Sequence, residues 1–303
     1  VLAAWAAVST AQAKEPRTKV ILNGELISVT FNDGDSFRAL SGNRAKARLR
    51  GYNTLESYGP VHQWGTWTPK ELYRIAKMAT LHARRGIWEC ESDGKLDTYG
   101  RMLVWCPGLA EDLVRLGMAH VMSVDDEPGD ATLLAAQREA IAAKRGIWAH
   151  GVPAFILTSL HSREEDIDGH GTYNRLVSTE DAHSVKWRHE TKYVECAKAC
   201  NQVYSVDEAK VAEVAAVLPS NAEAAPYLTG LSQQDIESVV RDFAHYRHVN
   251  RKVAKDDREK LHAVLETYVG DGGLGEQTSE PGACMIHIDF KRRFGTGRAA
   301  CLK

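Results

Sequence analysis

From residue 18 the chain alternates apolar and polar positions in short runs, broken by glycine pairs. Residues 20–22, 26–31 and 36–40 read as strands, and Asn23-Gly24, Asp33-Gly34 and Ser41-Gly42 punctuate them as in a meander. Residues 45–51 alternate apolar and basic side chains and predict a further strand. The period then lengthens. Leu72, Ile75, Ala76, Ala79 and residues 81–83 form a helical stripe, opened by Thr68 as cap, Pro69 at the first position and Glu71 completing a capping box. Strand-like runs at 86–90 and 102–106 flank a turn-rich segment, and helices are predicted from about 109 to 119 and from after Asp130 to about 144. A small sheet with three helices suggests an α+β fold built on a five-stranded OB-type β-barrel, although periodicity alone fits other α+β folds equally. Beyond Pro153 the pattern predicts a hairpin (172–177 with 184–189), helices near 206–218, 233–248 and 256–269, and a closing strand at 283–290. This reads as a small accessory α+β domain.

The length of 303 residues fits two domains, and the helical pattern stops at His150-Gly151-Val152-Pro153. Residues 14–152 are therefore assigned to one domain and 153–303 to the other. At 44% hydrophobic and 26% charged the chain is neither disordered nor collagen-like, and no apolar run is long enough to span a membrane. The net charge of −2 excludes a uniformly basic nucleic-acid binder. The first domain holds 19 basic and 17 acidic residues and the second 19 and 23, so any grip on nucleic acid must be local.

Residues 1–13, uncharged and closing on Ala11-Gln12-Ala13, read as the end of a Sec-type signal peptide, which predicts a secreted or periplasmic protein. Six cysteines in an exported chain point to disulfides before zinc, with 15 possible connectivities. Cys90 and Cys106 end the two strand-like runs, so a bridge between them is expected. Cys196, Cys200, Cys284 and Cys301 then belong to the second domain, their pairing left open.

Three clusters carry candidate chemistry. Asp33-Gly34-Asp35-Ser36 is a tight turn presenting acidic oxygens. In Arg48-Leu49-Arg50-Gly51-Tyr52-Asn53-Thr54-Leu55-Glu56 a strand with Arg48 and Arg50 on one face ends in a loop rich in oxygen donors. In Asp97-Thr98-Tyr99-Gly100-Arg101 a glycine turn sets an arginine at the root of the next strand. Each alone is weak, since a hairpin turn or a solvated basic face explains it. In this order they resemble the staphylococcal nuclease (thermonuclease) family over about residues 18–148, including the 113–119 helix and Gly146-Ile147-Trp148.

The resemblance implies a calcium-dependent nuclease, monomeric, hydrolysing DNA and RNA with low sequence specificity and leaving 3′-phosphate ends. Carried over by position, Asp35, Asn53 and Thr54 (through its carbonyl) would ligate one Ca2+. Glu56 would be the general base, and Arg48 and Arg101 the catalytic phosphate clamp. Asp33 would support the metal, and Tyr99 would lie beside the bound phosphate.

The chain departs from the family in two places. Asn53 stands where a second aspartate is usual, which implies a weaker metal site or a shifted metal preference. The stretch 120–125 lacks the family's base-stacking tyrosines, leaving Tyr58, Trp64 and Trp67 as candidates, while His62 reads as structural. The rival reading is a non-catalytic nucleic-acid-binding or scaffolding module with a degraded metal site.

Overall fold

A computed structural model describes residues 18–40, 45–166, 169, 171–288 and 299–302. The expected signal segment lies outside them, as do residues 289 and 290 of the expected closing strand. In chain order the elements are β1 (Thr18–Leu22), β2 (Glu25–Asp33), β3 (Ser36–Ala39), β4 (Lys46–Leu49), β5 (Gly51–Thr54), β6 (Val61–Gln63), α1 (Pro69–Arg85), β7 (Ile87–Cys90) and β8 (Met102–Val104). There follow α2 (Pro107–Arg115), β9 (Ala119–Met122), α3 (Ala131–Ala142), β10 (Phe155–Ser159), β11 (Thr172–Ser178), β12 (Ser184–His189) and β13 (Lys198–Tyr204). The last are α4 (Glu208–Val217), α5 (Gln233–Tyr246), α6 (Arg258–Gly270) and β14 (Ser279–Ile286).

Local chemistry sets the first hairpin. Asn23 and Gly24 both have positive φ (50° and 84°), the two-residue turn whose twist matches the flanking strands. The sheet runs β7-β1-β2-β3-β4-β8, six strands rather than the five expected. The fourth predicted strand ends at Leu49, and the loop expected after it is instead a strand: the chain turns at Gly51 (φ 89°) and β5 pairs with β9. The sheet curls until β7 and β8 nearly meet. Glu91 and Trp105 exchange backbone hydrogen bonds of 2.7 and 2.8 Å there, and a Cys90–Cys106 disulfide joins the strand ends. This curled sheet fits the OB arrangement. Phe31, Phe37, Leu49 and Tyr52 fill its interior with Leu109 and Leu113 of α2.

Helix α1 starts at the Thr68–Glu71 capping box, and Asp130 caps α3 by accepting from Thr132 and Leu133 N–H. The predicted second helix ends early, because the chain turns at Gly117 (φ 65°) and continues as β9. A Cβ on Gly146 would come 2.0 Å from the Gly117 carbonyl oxygen, so only glycine lets these two backbones meet.

In the second half, β10-β11-β12 form one sheet and α4, α5 and α6 pack around Phe243, Val239 and Leu261. Disulfides link Cys196 to Cys301 and Cys200 to Cys284. Strand β14 lies between β13 and β6, pairing Cys284 with Gln63, Met285 with His62 and Ile286 with Val61. Leu55, Trp64, Leu72 and Trp148 accordingly share one core cluster with Ile156, Leu157, Ala199 and Met285. The stretch around residue 152 is irregular, and the two halves pack across it.

This packing buries histidines in neutral form. Burial, with His120 adding, lowers His62 to about 3, and burial beside His183 lowers His248 to about 3. The unfolded chain protonates these groups near pH 6.5, so below that pH it binds more protons than the native state and stability falls with pH. We expect little change in unfolding free energy on their account above pH 6.5 and a loss of roughly 4 kcal/mol by pH 5. Urea titrations at stepped pH check this; a flat profile from pH 7 to pH 5 would contradict it.

Candidate active site

The Asp33–Ser36 hairpin turn is built to hold a carboxylate inside the protein. Asp33 Oδ1 accepts from the Ser36 hydroxyl at 2.5 Å and from Asp35 N–H at 3.3 Å. The buried Tyr52 hydroxyl donates to the Gly34 carbonyl at 2.8 Å from the opposite side. Gly34 has no room for a side chain, since a Cβ would fall 2.5 Å from Thr54 Cγ2. That close approach lets Asp35, 2% exposed, reach β5: its Oδ2 accepts from Thr54 N–H at 2.7 Å and from the Thr54 hydroxyl at 3.0 Å.

Arg48 completes the network from β4. One guanidinium nitrogen pairs with Asp35 Oδ1, and the other donates to Asn53 Oδ1 at 2.5 Å. The Asn53 amide donates to the Thr54 carbonyl at 2.9 Å and faces His120 Nε2 at 3.4 Å. His120 Nδ1 lies 3.0 Å from the Val121 carbonyl, which assigns the proton to Nδ1 and leaves Nε2 as acceptor. Both Asn53 amide hydrogens then have acceptors, and its oxygen is directed at Arg48. Burial lowers His120 to about 4, so it is neutral at physiological pH. His120 was missed as a site residue in the sequence. It arrives through the β5–β9 pairing, where it sits opposite Asn53, and only the short apolar run Ala119-His120-Val121-Met122 hinted at a strand.

The charge balance of the group is acidic. Burial, then Asp35, then Glu56 push the Asp33 pKa well above the ordinary carboxylate range. Burial opposes the Arg48 charge, but Asp35, Asp33 and Glu56 together outweigh it and raise its pKa. Three carboxylates thus share one half-buried guanidinium.

Of the residues singled out in the sequence, Asp33, Asp35, Arg48, Asn53, Thr54 and Glu56 come together. Arg101 is held differently, donating from Nε to Asp97 Oδ2 at 2.7 Å, while Asp97 Oδ1 accepts from Tyr99 and Arg101 N–H at 2.9 Å each. In the β4–β8 pairing Ala47, Arg48 and Leu49 lie opposite Met102, Leu103 and Val104, so Arg101 directly precedes the strand that neighbours β4. Tyr99 is 70% exposed, with the Arg101 guanidinium 5.3 Å from its ring centre.

The aromatic candidates separate cleanly. Trp64 is buried and its indole donates to Gly151 O, while Trp67 donates to Ile147 O and lies against His150. Both pack the core. Tyr58 instead faces Lys77 of α1, whose ammonium stands 4.1 Å from the ring centre.

The donor set suits a hard cation in kind, since a carboxylate, an amide oxygen and a backbone carbonyl meet beside two further carboxylates. Among the described residues no group of three His, Cys, Asp or Glu side chains is placed to hold a metal ion.

Residues 46–150 match the family model of staphylococcal nuclease homologues. The matched segment begins at β4 and contains Arg48, Asn53, Thr54, Glu56 and Arg101, while the Asp33–Ser36 turn precedes it. Proteins of this family are generally phosphodiester hydrolases acting on nucleic acids. No curated protein and no solved structure matches the chain.

Proposed function

We propose that residues 14–152 form a metal-dependent nuclease, cleaving DNA and RNA with low sequence specificity and leaving 3′-phosphate ends, and that residues 153–303 are an accessory domain. The observation that carries this reading is the single hydrogen-bonded set of Asp35, Arg48, Asn53 and Thr54, with the charge of Glu56 felt at its edge. Asp35, Asn53 and the Thr54 carbonyl would hold Ca2+, with Asp33 in support. When bound, the cation supplies Lewis-acid polarisation of the phosphoryl oxygen. Glu56 orients and deprotonates the attacking water. Arg48, on β4, and Arg101, just before the neighbouring β8, neutralise the charge that builds on the phosphoryl oxygens, a task for which the planar guanidinium fork is suited. Tyr99 borders the same phosphate. Because an amide replaces one carboxylate, calcium binding is weak and other divalent ions compete.

Three disulfides, and the absence from the described residues of any helix long and apolar enough to cross a membrane, are compatible with an exported protein. We place the protein, as a monomer, in the secreted or periplasmic compartment, led there by the segment 1–13.

Degradation of plasmid and single-stranded DNA, with calcium or with chelator, tests the reading. Glu56→Ala and Arg101→Ala are each expected to lower the calcium-dependent rate by a few hundredfold, about 3–4 kcal/mol of transition-state stabilisation. One feature favours the rival reading of a binding module: Arg48 already engages both Asp35 and Asn53, two of the three ligands assigned to the metal. DNA binding without cleavage in any divalent metal would decide for that module.

A further inference from the structure

Lys77 carries a charge that the proposed mechanism leaves unused. Tyr73 and Lys77 are four residues apart on α1 and so share a face, and the ammonium lies 5.2 Å from the Tyr73 ring centre and 4.1 Å from that of Tyr58. No described carboxylate lies within ion-pair distance of it, although it is close enough to Asp33 to feel that charge. Arg84, two turns further along the helix, adds positive potential on the same side and is anchored by donating to the Phe31 carbonyl at 2.9 Å. Tyr58 follows Glu56 by two residues. All three members of the cluster, Tyr58, Tyr73 and Lys77, are half-buried, with part of each facing solvent.

We infer that Lys77, Tyr58 and Tyr73 form a subsite for a single strand of nucleic acid, with Lys77 binding the phosphate next to the scissile one and Tyr58 stacking on the adjoining base. The subsite rests on the nuclease reading for its position beside the cleaved bond. Its chemistry is that of a single-strand track, a cation for the backbone and an aromatic face for a base of any sequence. It also supplies the stacking surface that residues 120–125 lack and that Trp64 and Trp67, both committed to the core, cannot provide. A lysine held between two rings has little side-chain freedom left to lose when a phosphate arrives.

The test uses the full chain and a fluorescent oligothymidylate, with binding measured in chelator over a range of salt and cleavage measured in calcium. Lys77→Ala is expected to reduce the slope of log affinity against log salt by about 0.7, the share of one single-strand phosphate contact. Tyr58→Ala is expected to weaken binding about 5- to 100-fold with little change in that slope. In cleavage, both variants are expected to raise KM while largely preserving kcat, and Lys77→Arg to restore the slope. Variants that keep the wild-type slope, affinity and KM would reduce the cluster to a structural cation–π contact and overturn the inference. If the wild type binds the strand without cleaving it and Lys77→Ala still lowers the slope, the subsite stands and the nuclease reading falls. If the wild type neither binds nor cleaves, both fall.

Discussion

Arg48→Ala is expected to lower the unfolding free energy by about 3–5 kcal/mol, the usual penalty for removing one partner of a buried ion pair. The loss exceeds that of a surface pair because Asp35 is 2% exposed. Thr54 offers two neutral donors to Oδ2, whereas among the described residues Arg48 alone donates to Oδ1, and the same change removes the Arg48 donor from Asn53 Oδ1. Arg48→Lys keeps the charge without the fork that spans Asp35 and Asn53, so an intermediate loss is expected. Urea unfolding followed by circular dichroism, with unchanged slope, gives the number. A loss below about 1 kcal/mol for the alanine variant would show that Asp35 does not depend on the guanidinium. In the active protein the same variant is expected to lose cleavage by at least the few hundredfold of a single transition-state contact.

The paired change Cys200→Ser with Cys284→Ser is expected to cost about 2–4 kcal/mol, the usual range for a native bridge, because it spans 84 positions inside the larger loop that Cys196–Cys301 still closes. The two cysteines are directly opposed in the β13–β14 ladder, and β14 in turn carries β6. Loosening that ladder reaches the chain that follows Glu56, so amides of Val61, His62 and Gln63 are expected to exchange faster in the variant. Thermal unfolding and hydrogen exchange measure the two effects. An unchanged melting temperature together with unchanged exchange at β6 would show that the second half does not brace this loop.

Much of the first half is legible without coordinates because its signals are local. The capping box at Thr68, the cap at Asp130 and the Asn23-Gly24 turn each act over four residues or fewer, and each element begins where they place it. Strands β5, β6, β9, β10 and β13 were not anticipated. At three to seven residues they are too short to show a period, and four of them are ordered by distant partners: β5 and β9 by each other, and β6 and β13 by β14. The six-stranded sheet departs from the expected five for a related reason, since one glycine with positive φ redirects β5.

By itself the sequence determined the order and spacing of the Asp33–Ser36, Arg48–Glu56 and Asp97–Arg101 clusters, together with the turns and caps that frame them, because these depend on neighbours along the chain. Tertiary structure alone decided which oxygen of Asp35 meets Arg48, that neutral His120 orients Asn53, that Lys77 rests between Tyr58 and Tyr73, and how four of the six cysteines pair. Those contacts join residues up to 105 positions apart. They follow from packing the whole core, where the burial of one side chain fixes the partners left for the next.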